Sequence, residues 1–295
     1  MPYLLNAERQ SRKSKVERRK AQLATRHSQL ELAACGMLAL VLLLGTSTAL
    51  AQEIDRGRYE ALVKDKSPAL VTVKFVLKVK SPGGERERET EVTGLMIEGT
   101  GLVVCANSQL GGMITLMARA RGMGSSVTAN PTDIKVLVGD DTEGVDATLL
   151  ARDTELDLAW VKIDEPASKP YAHIELSRRA DAKIGTPTFS IRRMGKFFDR
   201  VAVISEGWIG AIAHKPRDLF VAEGAMTVEP GLPIFTADGA LVGLFVIQMP
   251  ETEEALSALE SGNSMQDMAR GLILPAAEVA KATARAREMM NQVEE

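Results

Sequence analysis

Apolar and polar residues alternate without a break over residues 69–80. Val71, Val73, Phe75, Leu77 and Val79 fall on one face, and Thr72, Lys74, Lys78 and Lys80 on the other. Strand side chains repeat every second residue, so the pattern predicts a half-buried antiparallel strand. Ser81-Pro-Gly-Gly84 turns it, and the charged run 85–93 returns as an edge strand whose charges discourage further pairing. A hairpin follows, 94–97 and 102–105 around the turn Glu98-Gly-Thr-Gly101. Ile134, Val136 and Val138 alternate again, and residues 145–150 and 158–163 form two more apolar runs of strand length. Beyond Pro166 and Pro170, strand-like runs recur at 187–191, 200–204, 207–213, 219–221, 240–248 and 271–275.

Helical signals are few. Residues 54–66 form a short helix that Ser67-Pro68 stops, because the residue before proline is pushed out of the helical region. The Gly- and Met-rich stretch 111–131 is expected to be a surface loop with helix over 113–119. Residues 276–293 place Val279, Ala282, Ala286, Met289 or Met290, and Val293 on one helical face, expected to pack on the second half of the chain. The stretch 250–270 carries Glu251, Glu253, Glu254 and Glu260 and is expected to be a solvated flap.

The amino end has a different character. Eight Lys/Arg lie in residues 1–34, followed by the apolar run 37–44 and the small residues of 45–51. A basic region, a short apolar region and Ala49-Leu-Ala51 make a signal peptide cleaved before Gln52. The alternative is an uncleaved anchor, although the apolar stretch is shorter than the ~20 residues a span needs. Removing residues 1–51 takes away eight basic and three acidic residues, moving the net charge from −3 to −8. That balance argues against nucleic acid as a partner. Of the two cysteines only Cys105 then remains, so no internal disulfide is expected.

Residues 226–244 carry the most informative pattern. Met226-Thr-Val-Glu-Pro-Gly-Leu-Pro-Ile-Phe-Thr-Ala-Asp-Gly-Ala-Leu-Val-Gly-Leu244 is a tight Pro/Gly turn, a short strand, an Asp-Gly turn and a buried strand. Its outline resembles the nucleophile hairpin of trypsin-like serine proteases of the HtrA (Deg) type, in which Gly-Asn-Ser-Gly-Gly-Pro-Leu precedes the strand. Matching Pro233-Ile234 to that Pro-Leu puts Pro230 in the nucleophile's place. The segment from Gly101 to Ser108, Gly-Leu-Val-Val-Cys-Ala-Asn-Ser, is similar to the family's hairpin leading to the catalytic histidine, and Ser108 stands where that histidine would be. Asp153-Thr-Glu-Leu-Asp157-Leu-Ala-Trp-Val-Lys-Ile163 is similar to the family's Asp-x-x-x-Asp-Leu-Ala pattern, with Asp157 in the place of the triad aspartate.

The resemblance implies an all-β fold of two six-stranded antiparallel barrels with a C-terminal helix. It implies a leader over 1–51, a first barrel over 52–165, a linker over 166–178, a second barrel over 179–275 and the helix over 276–295, with no PDZ domain after it. It also implies lost chemistry. Acyl transfer on this scaffold needs an activated hydroxyl, a base and two N–H groups facing the oxyanion. A hydroxyl at 108 cannot take up a proton as imidazole does, and Pro230 has neither hydroxyl nor N–H. Val228 and Leu232 replace two further glycines of the oxyanion turn. Asp157, without a histidine, is expected to bind nearby backbone N–H groups.

No substitute site is evident. Cys105 ends an apolar strand and is expected to be buried and inert. His173 and His214 are expected at the surface, far apart and without ligand-spaced companions, so neither a metal nor a cofactor is expected. The leading expectation is an exported pseudoprotease holding a peptide or protein in the cleft between the barrels. The alternatives are a hydrolase with a relocated nucleophile and a structural protein tethered to the membrane through residues 35–51. A homo-oligomer is compatible with any of these.

Overall fold

The structure is a computed structural model that describes residues 57–123, 126–215, 217–227, 229–248 and 272–294. The leader over 1–51, Val228 and the acidic stretch 250–270 lie outside the described residues. Two closed antiparallel barrels of six strands each fall within one compact unit, Tyr59–Glu295.

The first barrel is ordered β1-β2-β3-β6-β5-β4, with β1 (Leu70–Ser81), β2 (Gly84–Glu98), β3 (Leu102–Ala106), β4 (Thr128–Leu137), β5 (Val145–Asp153) and β6 (Leu158–Ile163). The alternation in β1 is realised: Val71, Val73, Phe75 and Leu77 are buried, while Lys74 and Lys78 are half-buried. The charged run is not a separate edge strand but the outer half of β2. It pairs with β1 throughout, whereas β3 joins only from Gly94 to Glu98, so one side of this half stays open. Its glutamates meet the lysines of β1 across the ladder, Glu87 with Lys78 at 3.0 Å and Glu89 with Lys74 at 2.9 Å. Exposed pairs of this kind contribute about 0.2–1 kcal/mol each.

The expected loop over 111–131 is largely ordered. Residues 108–112 make a wide π-type turn, α2 (Met113–Ala120) follows the helix α1 (57–66), and β4 begins at Thr128. Pro131 sits inside β4 opposite Leu77, beside a bulge that shifts the β1–β4 register between Lys74 and Val76. Proline is tolerated at such irregular places because no ladder N–H is required of it.

The second barrel is ordered β10-β11-β12-β9-β8-β7, with β7 (Pro187–Arg193), β8 (Ala202–Ala213), β9 (Leu219–Gly224), β10 (Pro233–Phe235), β11 (Leu241–Val246) and β12 (Leu272–Pro275). The runs expected at 200–204 and 207–213 are one strand, β8. Ile209, Leu232, Ile234, Val242, Phe245 and Ile273 fill this barrel as one cluster.

The carboxy-terminal helix α3 (Ala276–Glu294) does more than cover the second barrel. Val279, Ala282 and Ala286 are buried, and Thr283 accepts a 3.0 Å hydrogen bond from the Trp160 indole of β6. Arg285 reaches Asp153 at the end of β5, and Arg287 pairs with Glu98 of β2. The helix therefore ties both barrels together. A second tie comes from the β7–β8 connection, where Arg193 donates to the carbonyls of Leu70 and Ser67 and Arg200 forms a bidentate pair with Glu91. Among the described residues no helix is long and apolar enough to cross a membrane.

Candidate functional site

Ser108 and Asp157 meet where the barrels join, and the turn carrying Pro230 packs nearby against Ala106. β3 ends at Ala106, and the backbone turns at Asn107, whose N–H donates to the Asp157 carbonyl at 3.1 Å. The following turn depends on two glycines: a Cβ at Gly112 would lie 2.6 Å from the Asn107 carbonyl oxygen, and Gly111 has φ +96°, where a Cβ would lie 2.8 Å from the Ala129 carbonyl oxygen. That close approach seats the start of α2 against β4.

Asp157 is presented by a turn that its own segment builds. Asp153 Oδ1 accepts the N–H groups of Glu155 (3.1 Å) and Leu156 (2.9 Å), an Asx-type turn that closes the β5–β6 connection. Asp157 itself is left-handed, with φ +58°, a conformation that aspartate tolerates better than most residues. Its carboxylate is 3 % exposed and takes three hydrogen bonds. Ser108 N–H donates to Oδ1 at 2.6 Å, the Ser108 hydroxyl to Oδ2 at 2.9 Å, and Ile247 N–H from the second barrel to Oδ2 at 2.9 Å. Burial raises the Asp157 pKa, and these donors oppose the rise. The aspartate thus binds backbone N–H groups from both barrels, as its sequence context suggests, and its remaining partner is a hydroxyl.

The turn carrying Pro230 has its own logic. Proline at the second position and glycine at the third are the residues of a type II turn, and Gly231 has the required positive φ of +87°. Leu232 N–H closes the turn on the Glu229 carbonyl at 3.2 Å. Gly231 N–H donates to the Phe245 carbonyl at 2.8 Å, and Phe245 N–H returns to Leu232 O at 2.9 Å. Both N–H groups that follow Pro230 are consumed inside the fold. The turn packs on the first barrel, where a Cβ at Gly231 would stand 3.2 Å from Ala106 N. Leu232 is wholly buried. Val228 lies outside the described residues.

The residues weighed as substitutes lie elsewhere. Cys105 is fully buried in β3, and burial pushes its thiol up to about 12. His173 is exposed with Nδ1 against the Tyr171 carbonyl, and His214 is exposed beside Asp218. Among the described residues no three metal-ligating side chains cluster.

Beside Ser108 and Asp157 opens a cavity of about 460 Å³ between α2, β4 and the β5–β6 turn. Met113, Leu116 and Arg119 of α2 face Arg152 and Asn130 across it. The sequence gives no direct signal for this cavity, because it depends on α2 folding against β4. A charged residue interrupting the apolar run that leads to Asp153 is the one available hint, and it is Arg152.

A pair of closed six-stranded barrels meeting at such a cleft defines the trypsin-like class. The family model described as "Trypsin-like peptidase domain" matches residues 92–244, more than half of the chain, and the chain belongs to that family. Among solved structures it is similar to Deg5 ("Crystal structure of Deg5"), with a TM-score of 0.51 and 14 % identity over 77 % of this chain and 92 % of that one. At that identity the likeness speaks for the fold. No curated protein sequence matches the chain.

Proposed function

We propose that this chain is an exported trypsin-like pseudoprotease, a scaffold that holds a peptide or protein segment at the inter-barrel cleft without cleaving it. The observation that carries this reading is the pairing at the triad position, where the Ser108 hydroxyl donates to Asp157 in place of an imidazole. A serine hydroxyl bound to a carboxylate can neither relay a proton to a leaving group nor deprotonate a nucleophile near neutral pH. Pro230 agrees with it, since that residue offers neither hydroxyl nor N–H. The N–H groups of Gly231 and Leu232 are engaged with Phe245 and Glu229 and do not face an incoming carbonyl. Losing one oxyanion donor alone costs on the order of 10² to 10³ in rate. Export rests on the basic, apolar and small-residue order of residues 1–51.

Treating the mature protein with a fluorophosphonate probe and mapping adducts by mass spectrometry tests the catalytic half of the proposal. No serine adduct is expected, and stoichiometric labelling of any serine would overturn it. Amino-terminal sequencing of the exported protein tests the rest, with a start near Gln52 expected and retention of residues 35–51 pointing to a tether.

A further inference from the structure

We propose that the cavity beside Asp157 is a carboxylate-binding site, in which Arg152 and Arg119 receive the anionic group and α2 supplies the apolar wall. This deepens the scaffold reading and rests on it: the held segment would present an acidic side chain or a free carboxy terminus.

One cation at the cavity has no carboxylate partner among the described residues. Arg152 is half-buried, and its two hydrogen bonds go to neutral acceptors, the Asn107 side-chain oxygen at 3.4 Å and the Leu110 carbonyl at 3.2 Å. A guanidinium has five N–H donors, so these leave donor capacity unused. Burial lowers the Arg152 pKa, and no carboxylate among the described residues pairs with it to offset that cost. Buried or half-buried arginine elsewhere in this molecule is partnered in two ways. Arg193 donates to the backbone carbonyls of Leu70, Ser67 and Arg200. Arg200, buried more deeply than Arg152, has Glu91 in a bidentate pair. Arg152 differs from both in lining an open cavity, where a half-buried guanidinium can take its counter-ion from a ligand.

The carboxylates that border the cavity are committed elsewhere. Asp157 takes its three hydrogen bonds from Ser108 and Ile247, and Glu155 lies 3.6 Å from Arg217. A second cation faces the same space: Arg119 on the exposed face of α2 has no ion pair among the described residues. A volume of about 460 Å³ is in the range of small-ligand sites. Met113 and Leu116, the latter 37 % exposed, would cover the aliphatic part of a ligand whose carboxylate meets the guanidinium fork. Ser108 lines the cavity as well.

A purely structural role for Arg152, tying the 108–112 turn to β5, makes a different prediction, and the experiment separates the two. Three probes are titrated into the isotope-labelled mature protein and followed by NMR: N-acetylglutamate amide, N-acetyl-leucine and N-acetyl-leucinamide. They carry a side-chain carboxylate, a terminal carboxylate and none. Shifts at Arg152, Arg119 and the α2 amides are expected with at least one carboxylate probe, and about tenfold weaker binding with the neutral one. Arg152→Gln should abolish the difference. Arg119→Gln, on an exposed helix face, should reduce it without affecting folding, which keeps the test valid if the first variant is unstable. Absence of carboxylate-dependent shifts at these residues overturns the inference, as does unchanged binding in a folded Arg152→Gln protein. Peptides that bind the cleft with no preference for an acid would overturn it too, yet leave the scaffold function standing. A serine adduct with the fluorophosphonate probe would sink that function while leaving the carboxylate site intact.

Discussion

Ser108 grips Asp157 with both its backbone N–H and its hydroxyl, at 2.6 and 2.9 Å, and so occupies both carboxylate oxygens from one residue. The hydroxyl does for Asp157 what a histidine ring would do for it in an active triad, namely satisfy a buried charge, but it carries no basicity. Ser108→Ala should therefore be a stability variant. It removes a hydrogen bond to a buried charged group, worth about 1.5–3 kcal/mol, and leaves Asp157 two donors. Urea unfolding at neutral pH should show that loss with an unchanged slope, and a neutral result would mean that water replaces the hydroxyl at no cost.

The Glu91–Arg200 pair makes a prediction about acid. Hydrogen bonding and charge attraction from Arg200 hold the Glu91 carboxyl below its ordinary value of 4.5. A carboxyl depressed in the folded state adds stability above its unfolded pKa, and that stability is lost as pH falls through the folded value. Melting temperature should accordingly drop from about pH 4.5 downward, and Glu91→Gln should lower it at neutral pH while flattening that drop. Asp157 acts with the opposite sign, since burial raises its pKa and its ionisation on raising the pH subtracts stability. An acid limb unchanged in Glu91→Gln would assign the loss to other carboxylates.

Cys105 should be unreactive in the folded protein. Its side chain is inaccessible, and a thiol pushed up to about 12 has almost no thiolate at pH 8. Labelling with iodoacetamide followed by peptide mapping should find Cys105 unmodified in buffer and fully modified in guanidinium chloride. Native-state labelling at a rate near that of a free thiol would indicate that β3 opens locally.

Much of the fold was legible because each barrel is written in short-range signals. The alternation of β1 and the Asp238-Gly239 turn are set within a few residues, and both appear in the structure. The triad-like positions were legible by resemblance, and the structure brings Ser108 and Asp157 into direct contact. What was hidden depends on distant pairings. β4 starts six residues before its apolar alternation because Thr128 and Ala129 are held against Lys80 and Val79 of β1. The carboxy-terminal helix bridges the barrels because Thr283 meets Trp160, 123 residues away. The cavity with Arg119 and Arg152 exists only once α2 is folded against β4.

Restoring the two missing catalytic side chains should not restore proteolysis. In a Ser108→His, Pro230→Ser double variant, position 230 regains a hydroxyl and an N–H, and position 108 regains a base beside Asp157. Val228 and Leu232 still replace two glycines of the family's oxyanion turn. Gly231 N–H remains committed to Phe245 O, and Leu232 N–H to Glu229 O. Reshaping the turn would draw Leu232 out of the second barrel's interior at a cost of about 1.5–3 kcal/mol for the lost burial alone. Without a preorganised oxyanion site the rate should stay at least about 10² below that of an intact enzyme, before any penalty for a misplaced nucleophile. The measurement is turnover of a fluorogenic casein together with fluorophosphonate labelling at position 230. Slow labelling without turnover is the expected result. Turnover comparable to an active member of the family would show that the turn rearranges freely, and that the loss of activity lies in the two side chains and not in the backbone between Glu229 and Leu232.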